Sequence, residues 1–123
     1  SDGFLLKVVF IMKKINILKN NRDFNRIINN TKPIKSNNFI IYVEKVNEPS
    51  YHFGFSVGKK IGTAVMRNRI KRQLKSIIDK KKYINGFNCI VIAKKKVLSL
   101  TYNEMKDELL KILENIKIIE GEK

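Results

Sequence analysis

Between Thr63 and Ile78 the apolar residues Met66, Ile70, Leu74, Ile77 and Ile78 recur at helical spacing. At about 100° per residue, Arg67, Arg69, Lys71, Arg72 and Lys75 take nearly all of the remaining circumference. Such a helix gains tertiary stability only by burying its seam, and the rest of its surface is too charged to bury. The fold must therefore lay one long cationic helix against a core and leave most of its surface in water. Thr63 is placed to cap it, its hydroxyl able to accept from a free N–H of the first turn.

The flanking segments predict what that seam packs on. Phe39–Val46 and Tyr51–Val57 are rich in β-branched and aromatic residues, with Phe53, Phe55 and Val57 on one face. Between them Asn47-Glu-Pro-Ser50 has turn chemistry, so the two read as a hairpin with a loop of about four residues. Phe87–Ala93 reads as a further strand, and Thr101-Tyr-Asn-Glu104 is a capping box opening a last helix with Met105, Leu109, Ile112, Leu113 and Ile116 inward. Ahead of the hairpin, Leu18, Phe24, Ile27 and Ile28 mark a short helix over about Asn20–Asn29, stopped by the run to Pro33. A helix between two strands implies a βαβ-like crossover, and a small mixed sheet packed with helices is the economical α+β architecture. Its second face, covered only by the thin first helix, would leave a partly open groove lined by Phe24, Ile28 and Tyr42, or be closed by those three side chains as core. In a chain of 123 residues this is one core, expected over residues 12–123. Residues 1–11, which precede a natural-looking Met12-Lys-Lys start, are expected to be an extraneous N-terminal extension.

Charge then says what the cationic helix is for. The net charge is +15, and residues 59–96 alone carry 13 basic side chains and one acid. Lysine is the default cation, 21 against five arginines, yet three of those five arginines fall at positions 67, 69 and 72. Guanidinium forks in that density suit phosphate oxygens, and Asn68 among them can bond a ribose or a base edge. A solvated basic face without a specific partner and double-stranded DNA are the alternatives. No helix-turn-helix pattern supports the latter, and an aromatic groove beside a sheet suits single strands better.

Other chemistries are poorly supplied. The only cysteine, Cys89, lies in an apolar run and reads as buried, so neither a disulfide nor a cysteine metal cluster can form and a cytoplasmic setting fits. His52 is the only histidine, and Asp79 is the only carboxylate between residues 59 and 96, which argues against a protein-only nuclease. Gly58-Lys-Lys-Ile-Gly62 lacks the Gly-Lys-Ser/Thr ending of a nucleotide loop, although a single backbone phosphate would suit it. The N-terminal apolar run is short and followed, rather than preceded, by lysines, which is the wrong order for a signal peptide and too short for a membrane span.

The run Ala64-Val-Met-Arg-Asn-Arg-Ile-Lys-Arg72, preceded by Ser-Val-Gly-Lys-Lys-Ile-Gly over 56–62, resembles the arginine-rich signature of the protein subunit of bacterial ribonuclease P. Asp23-Phe24, Phe39–Tyr42, Ile90–Lys94 and Leu100–Glu104 match similar segments of that family, so the likeness spans roughly residues 13–116. It implies the order αβββαβα, with a four-stranded mixed sheet, one short strand near Pro33–Ser36 that periodicity does not show, and a left-handed βαβ crossover where the general rule expects the opposite hand. It also implies a division of labour. The ribonuclease P RNA would cut with its own bound Mg²⁺, and the protein, with no catalytic residues, would lower the Mg²⁺ requirement. Arg67, Asn68, Arg69, Lys71, Arg72 and Lys75 are the residues expected on the catalytic RNA. Phe24, Ile28, Tyr42, Ser56, Lys59 and Lys60 are expected to hold the single-stranded 5′ leader of precursor tRNA. No membrane, stable protein partner or organic cofactor is implied. Gly58, Thr63 and Ile28 depart from the family's usual Ser, Asn and aromatic residue; the last change removes one stacking surface.

Overall fold

The computed structural model describes residues 17–18 and 20–120, so the proposed extension over residues 1–11 lies outside the described residues. The elements run α1 (Asn21–Asn30), β1 (Ile34–Lys35), β2 (Phe39–Lys45), β3 (Tyr51–Val57), α2 (Ala64–Ile78), β4 (Phe87–Ala93) and α3 (Tyr102–Ile116), with single 3-10 turns at Lys59–Ile61 and Lys95–Ser99. This is the expected αβββαβα order, and β1 supplies the short strand.

Local signals set the helix boundaries. Asn20 caps α1 by accepting from Arg22 N at 2.8 Å, and at its other end the backbone N–H and hydroxyl of Thr31 both donate to Ile27 O. Thr63 caps α2 through Met66 N, and the capping box of Thr101 and Glu104 opens α3 in both directions.

The sheet order is β1-β2-β4-β3, with β2 antiparallel and β3 parallel to β4. This corrects the expected hairpin, because β2 and β3 are not neighbours and β4 lies between them. Short loops and alternating patterns favour a hairpin locally, but β4 is apolar on both faces, buried at Phe87, Cys89, Ile90, Val91 and Ala93, and such a strand belongs at the centre. Gly86 makes the insertion possible at the loop. Its carbonyl accepts from Val46 N at 2.9 Å and its N–H donates to Ser50 O at 2.8 Å, binding the ends of β2 and β3 to the incoming strand. Its φ of 90° is one that L side chains rarely adopt, and a Cβ there would stand 3.0 Å from Val46 O.

On one sheet face Phe39, Ile41, Phe53, Phe55, Val57, Phe87, Cys89 and Val91 meet Ile70, Leu74, Ile77 and Ile78 of α2 and Met105, Leu109 and Leu113 of α3. Met66 departs from the expected seam: it stands in the first turn, beyond the packed stretch, and is 40 % exposed. Burial pushes the Cys89 thiol well above its ordinary pKa, so it serves as a small core hydrophobe.

The other face carries three rows across β2, β4 and β3: Ile40-Ile92-Ser56, Tyr42-Ile90-Gly54 and Glu44-Asn88-His52. The third row is a hydrogen-bonded chain. Asn88 Nδ2 donates to Glu44 Oε1, so Asn88 Oδ1 is the acceptor that faces His52 Nδ1 at 3.0 Å. Arg26 closes the row with two bonds to the Glu44 carboxylate, at 3.1 and 3.0 Å, and one to Asp23. The Arg26 bond holds the Glu44 carboxyl below its usual range. On the opposite side of the sheet, Glu108 of α3 accepts from Ser36 Oγ, Asn38 N and Asn38 Nδ2, fastening the turn before β2. Burial raises its pKa, but these bonds, with Lys94 nearby, outweigh burial and lower it.

Both carboxyls are therefore more acidic folded than unfolded. Their contribution is fully present above the unfolded carboxylate range, about 4.3, and is lost as pH falls through the folded values. Burial raises the Asp79 carboxyl pKa to about 6, so its protonation between about pH 7 and 5 adds stability. The melting temperature is expected to hold or rise slightly over that span and then drop as Glu44 and Glu108 are protonated, with Glu108→Gln flattening the drop. Thermal unfolding monitored by circular dichroism checks this, and an acid limb unchanged by Glu108→Gln counts against the clamp.

Candidate nucleic-acid interface

The first helix rests on the second sheet face through Ile27, which is fully buried against Leu18 and Ile90, with Phe24, Ile28, Tyr42 and Ile92 partly buried around them. Both sequence alternatives for this face hold in part: the residues build a small second core, and a groove stays open beside it. Phe24 sits directly over Gly54, where a Cβ would lie only 2.5 Å from Phe24 Cζ. The missing side chain at position 54 is the seat of the ring.

Between α1 and α2 runs a groove of about 570 Å³. Phe24 and Ile28 line the α1 wall, Ser56 and Val57 the floor, and Lys71 and Lys75 the α2 wall. Three of the residues expected at the leader thus converge here. Tyr42 does not line the groove; it lies two strands away, against the Ile90 cluster. Lys59 and Lys60 are exposed in the 3-10 turn that follows β3. Lys71 and Lys75, expected on the catalytic RNA, stand on the wall facing Phe24 and Ile28. Asn21 and Asn25, one helical turn apart, also line the groove; sequence reasoning missed them, although they share the helical spacing of Phe24 and Ile28.

The signature residues distribute around α2 by helical geometry. Arg67 is four residues before Lys71 and shares its flank, Asn68 and Arg72 face outward, and Arg69 with Gln73 takes the opposite flank. Among the described residues, Arg67 Nε is the one buried side-chain nitrogen or oxygen without a hydrogen-bond partner. A buried unpaired donor is costly, and a phosphate oxygen would satisfy it. Among the described residues no group of three or more His, Cys, Asp and Glu could hold a metal ion, and Asp23 and Glu44 are bonded to Arg26. His52, the one candidate base for a protein-only nuclease, is bonded to Asn88.

Comparison with known proteins settles the family. A profile of the ribonuclease P family matches residues 12–117. The chain belongs to the ribonuclease P protein family. It is 42 % identical over 112 residues to the ribonuclease P protein component of Mycoplasma mycoides, covering 86 % of this chain and all of that one. Against the component of Bacillus mycoides it is 38 % identical over 104 residues, covering 82 % and 90 %. The solved structure of the Staphylococcus aureus RNase P protein superposes with a TM-score of 0.76 at 28 % identity, over 84 % of this chain and 96 % of that one. The Thermotoga maritima RNase P protein gives 0.72 at 27 %, over 78 % and 93 %. As a ribonuclease P protein the chain is a subunit of an endoribonuclease ribonucleoprotein in tRNA 5′ processing, with RNA as its partner. Among the described residues no helix is long and apolar enough to cross a membrane.

Proposed function

We propose that the chain divides its RNA contacts between two surfaces of α2. The outward face, with Asn68 and Arg72 and the flanking Arg67 and Arg69, docks on the catalytic RNA. The groove between α1 and α2 holds the single-stranded 5′ leader of precursor tRNA. The observation that carries this reading is the groove's asymmetry: a cationic wall at Lys71 and Lys75 faces an aromatic and aliphatic wall at Phe24 and Ile28. A single strand laid there has its phosphates toward one wall and its bases toward the other. The added cations near RNA phosphates lower the Mg²⁺ that the ribonucleoprotein needs, with Mg²⁺ itself held mainly by the RNA, in the cytoplasm.

The test is multiple-turnover cleavage of a precursor tRNA by a bacterial ribonuclease P RNA at low Mg²⁺, with and without the protein, beside a protein-only reaction. Strong stimulation and a silent protein-only reaction are expected. The leader assignment requires in addition that the holoenzyme bind precursor tRNA more tightly than mature tRNA. Equal affinity would reduce the protein to a general RNA binder, and absence of stimulation would overturn the reading.

A further inference from the structure

On the far side of α2 from the leader groove lies a second, smaller concavity of about 220 Å³, between the helix and the segment that carries the Lys95–Ser99 turn into α3. Its floor is apolar, with Ile70, Val97 and Met105 all buried. Its sides are Met66 and Leu98, at 40 % and 42 % exposure two of the five large apolar side chains left exposed among the described residues. Arg69 and Gln73, one turn apart on α2, line it as well, and Lys95 and Lys96 directly precede its Val97 and Leu98. Among the described residues neither Arg69 nor Gln73 has a side-chain hydrogen bond or an ion pair within the chain.

We propose that this pocket takes one unpaired nucleobase of the catalytic RNA. The inference rests on the reading of α2 as the RNA-docking helix and adds a site to it. An apolar slot with a cationic rim favours a ligand that joins a flat, weakly polar body to an anion, and a nucleotide has that form. The volume suits one planar heterocycle and is too small for a helix or a strand. Met66 and Met105 offer pliable, polarisable contact to an aromatic ring. The Gln73 amide can donate and accept at a base edge while Arg69 meets the adjoining phosphate.

The test uses the full chain and a bacterial ribonuclease P RNA, with chemical probing of unpaired bases and a binding titration. Leu98→Ser removes one side of the pocket. Ile84→Ser, in the loop between α2 and β4 at 44 % exposure against 42 % for Leu98, makes a comparable apolar-to-polar change away from the docking helix and lines neither groove. Gln73→Leu removes the edge contact and leaves the apolar floor. Wild-type protein and Ile84→Ser are expected to protect the same unpaired base. Leu98→Ser should leave that base reactive and bind about tenfold more weakly, and Gln73→Leu should also leave it reactive. If Leu98→Ser and Gln73→Leu protect and bind as Ile84→Ser does, the pocket is not a base site, even though wild-type binding keeps α2 as the RNA helix. If the wild-type protein does not bind the RNA, both readings fall together.

Discussion

A chain carrying Arg67→Ala and Arg69→Ala together is expected to lose about a hundredfold or more in affinity for the catalytic RNA. Hydrogen bonds to charged groups are each worth about 1.5–3 kcal/mol, roughly ten- to a hundredfold in binding. The two arginines stand on opposite flanks of α2, so no single RNA contact is shared between them, and their losses should be close to additive. The slope of log affinity against log salt should fall by about 1.5, at about 0.7–0.9 for each phosphate that is no longer neutralised. Because Arg67 lies on the same flank as Lys71 and Lys75, Arg67→Ala alone should also reduce the preference for precursor over mature tRNA, whereas Arg69→Ala should not. Phe24→Ala should have the reverse profile, sparing assembly and removing the precursor preference. Titrations at several salt concentrations, with both tRNA forms, check this. The division of surfaces fails if Arg69→Ala and Phe24→Ala impair the same step to the same degree.

Gly54→Val is expected to destabilise the protein by about 2 kcal/mol, although strand propensity taken alone favours valine by up to about 1 kcal/mol. A Cβ at position 54 would lie 2.5 and 2.9 Å from two carbons of the Phe24 ring and 3.3 Å from Leu18 Cβ. Overpacking of this kind costs about 1–3 kcal/mol, and valine adds two further carbons to the clash. Relief requires the Phe24 ring to leave its seat, and α1 is anchored to the sheet by the same small cluster of Leu18, Ile27 and Ile90. The variant should melt roughly 10 °C lower and lose preference for precursor tRNA, while its affinity for the catalytic RNA falls much less. Calorimetry and the two-tRNA titration measure both effects. A Gly54→Val protein that melts and discriminates like wild type would show that Phe24 is not held by the sheet.

Much of the molecule is legible in the order of its residues. Asn20, Thr63 and Thr101 are cap residues whose hydrogen bonds lie within three residues, so short-range chemistry locates all three helix starts. The stripe of Ile70, Leu74, Ile77 and Ile78 and the cations around it follow from helical period alone, and the signature within them carries the family. Met66 fits the same period yet stays exposed, because periodicity says which side a residue takes and not how far the covering surface extends.

What the sequence determined by itself is local: where each helix begins, which residues of β2, β3 and β4 have strand character, and that one helix must be cationic over most of its girth. Tertiary structure decided which strands are neighbours. Local pattern favoured pairing β2 with β3, but β4 is the strand that must lose water on both faces, and that requirement outweighs a short connection. Tertiary structure also decided that Lys71 and Lys75 face Phe24 and Ile28 across one groove while Arg69 and Gln73 line another. Capping and period depend on residues a few positions apart, whereas strand order and the two flanks of α2 depend on apolar burial summed over segments dozens of residues apart, which no local window contains.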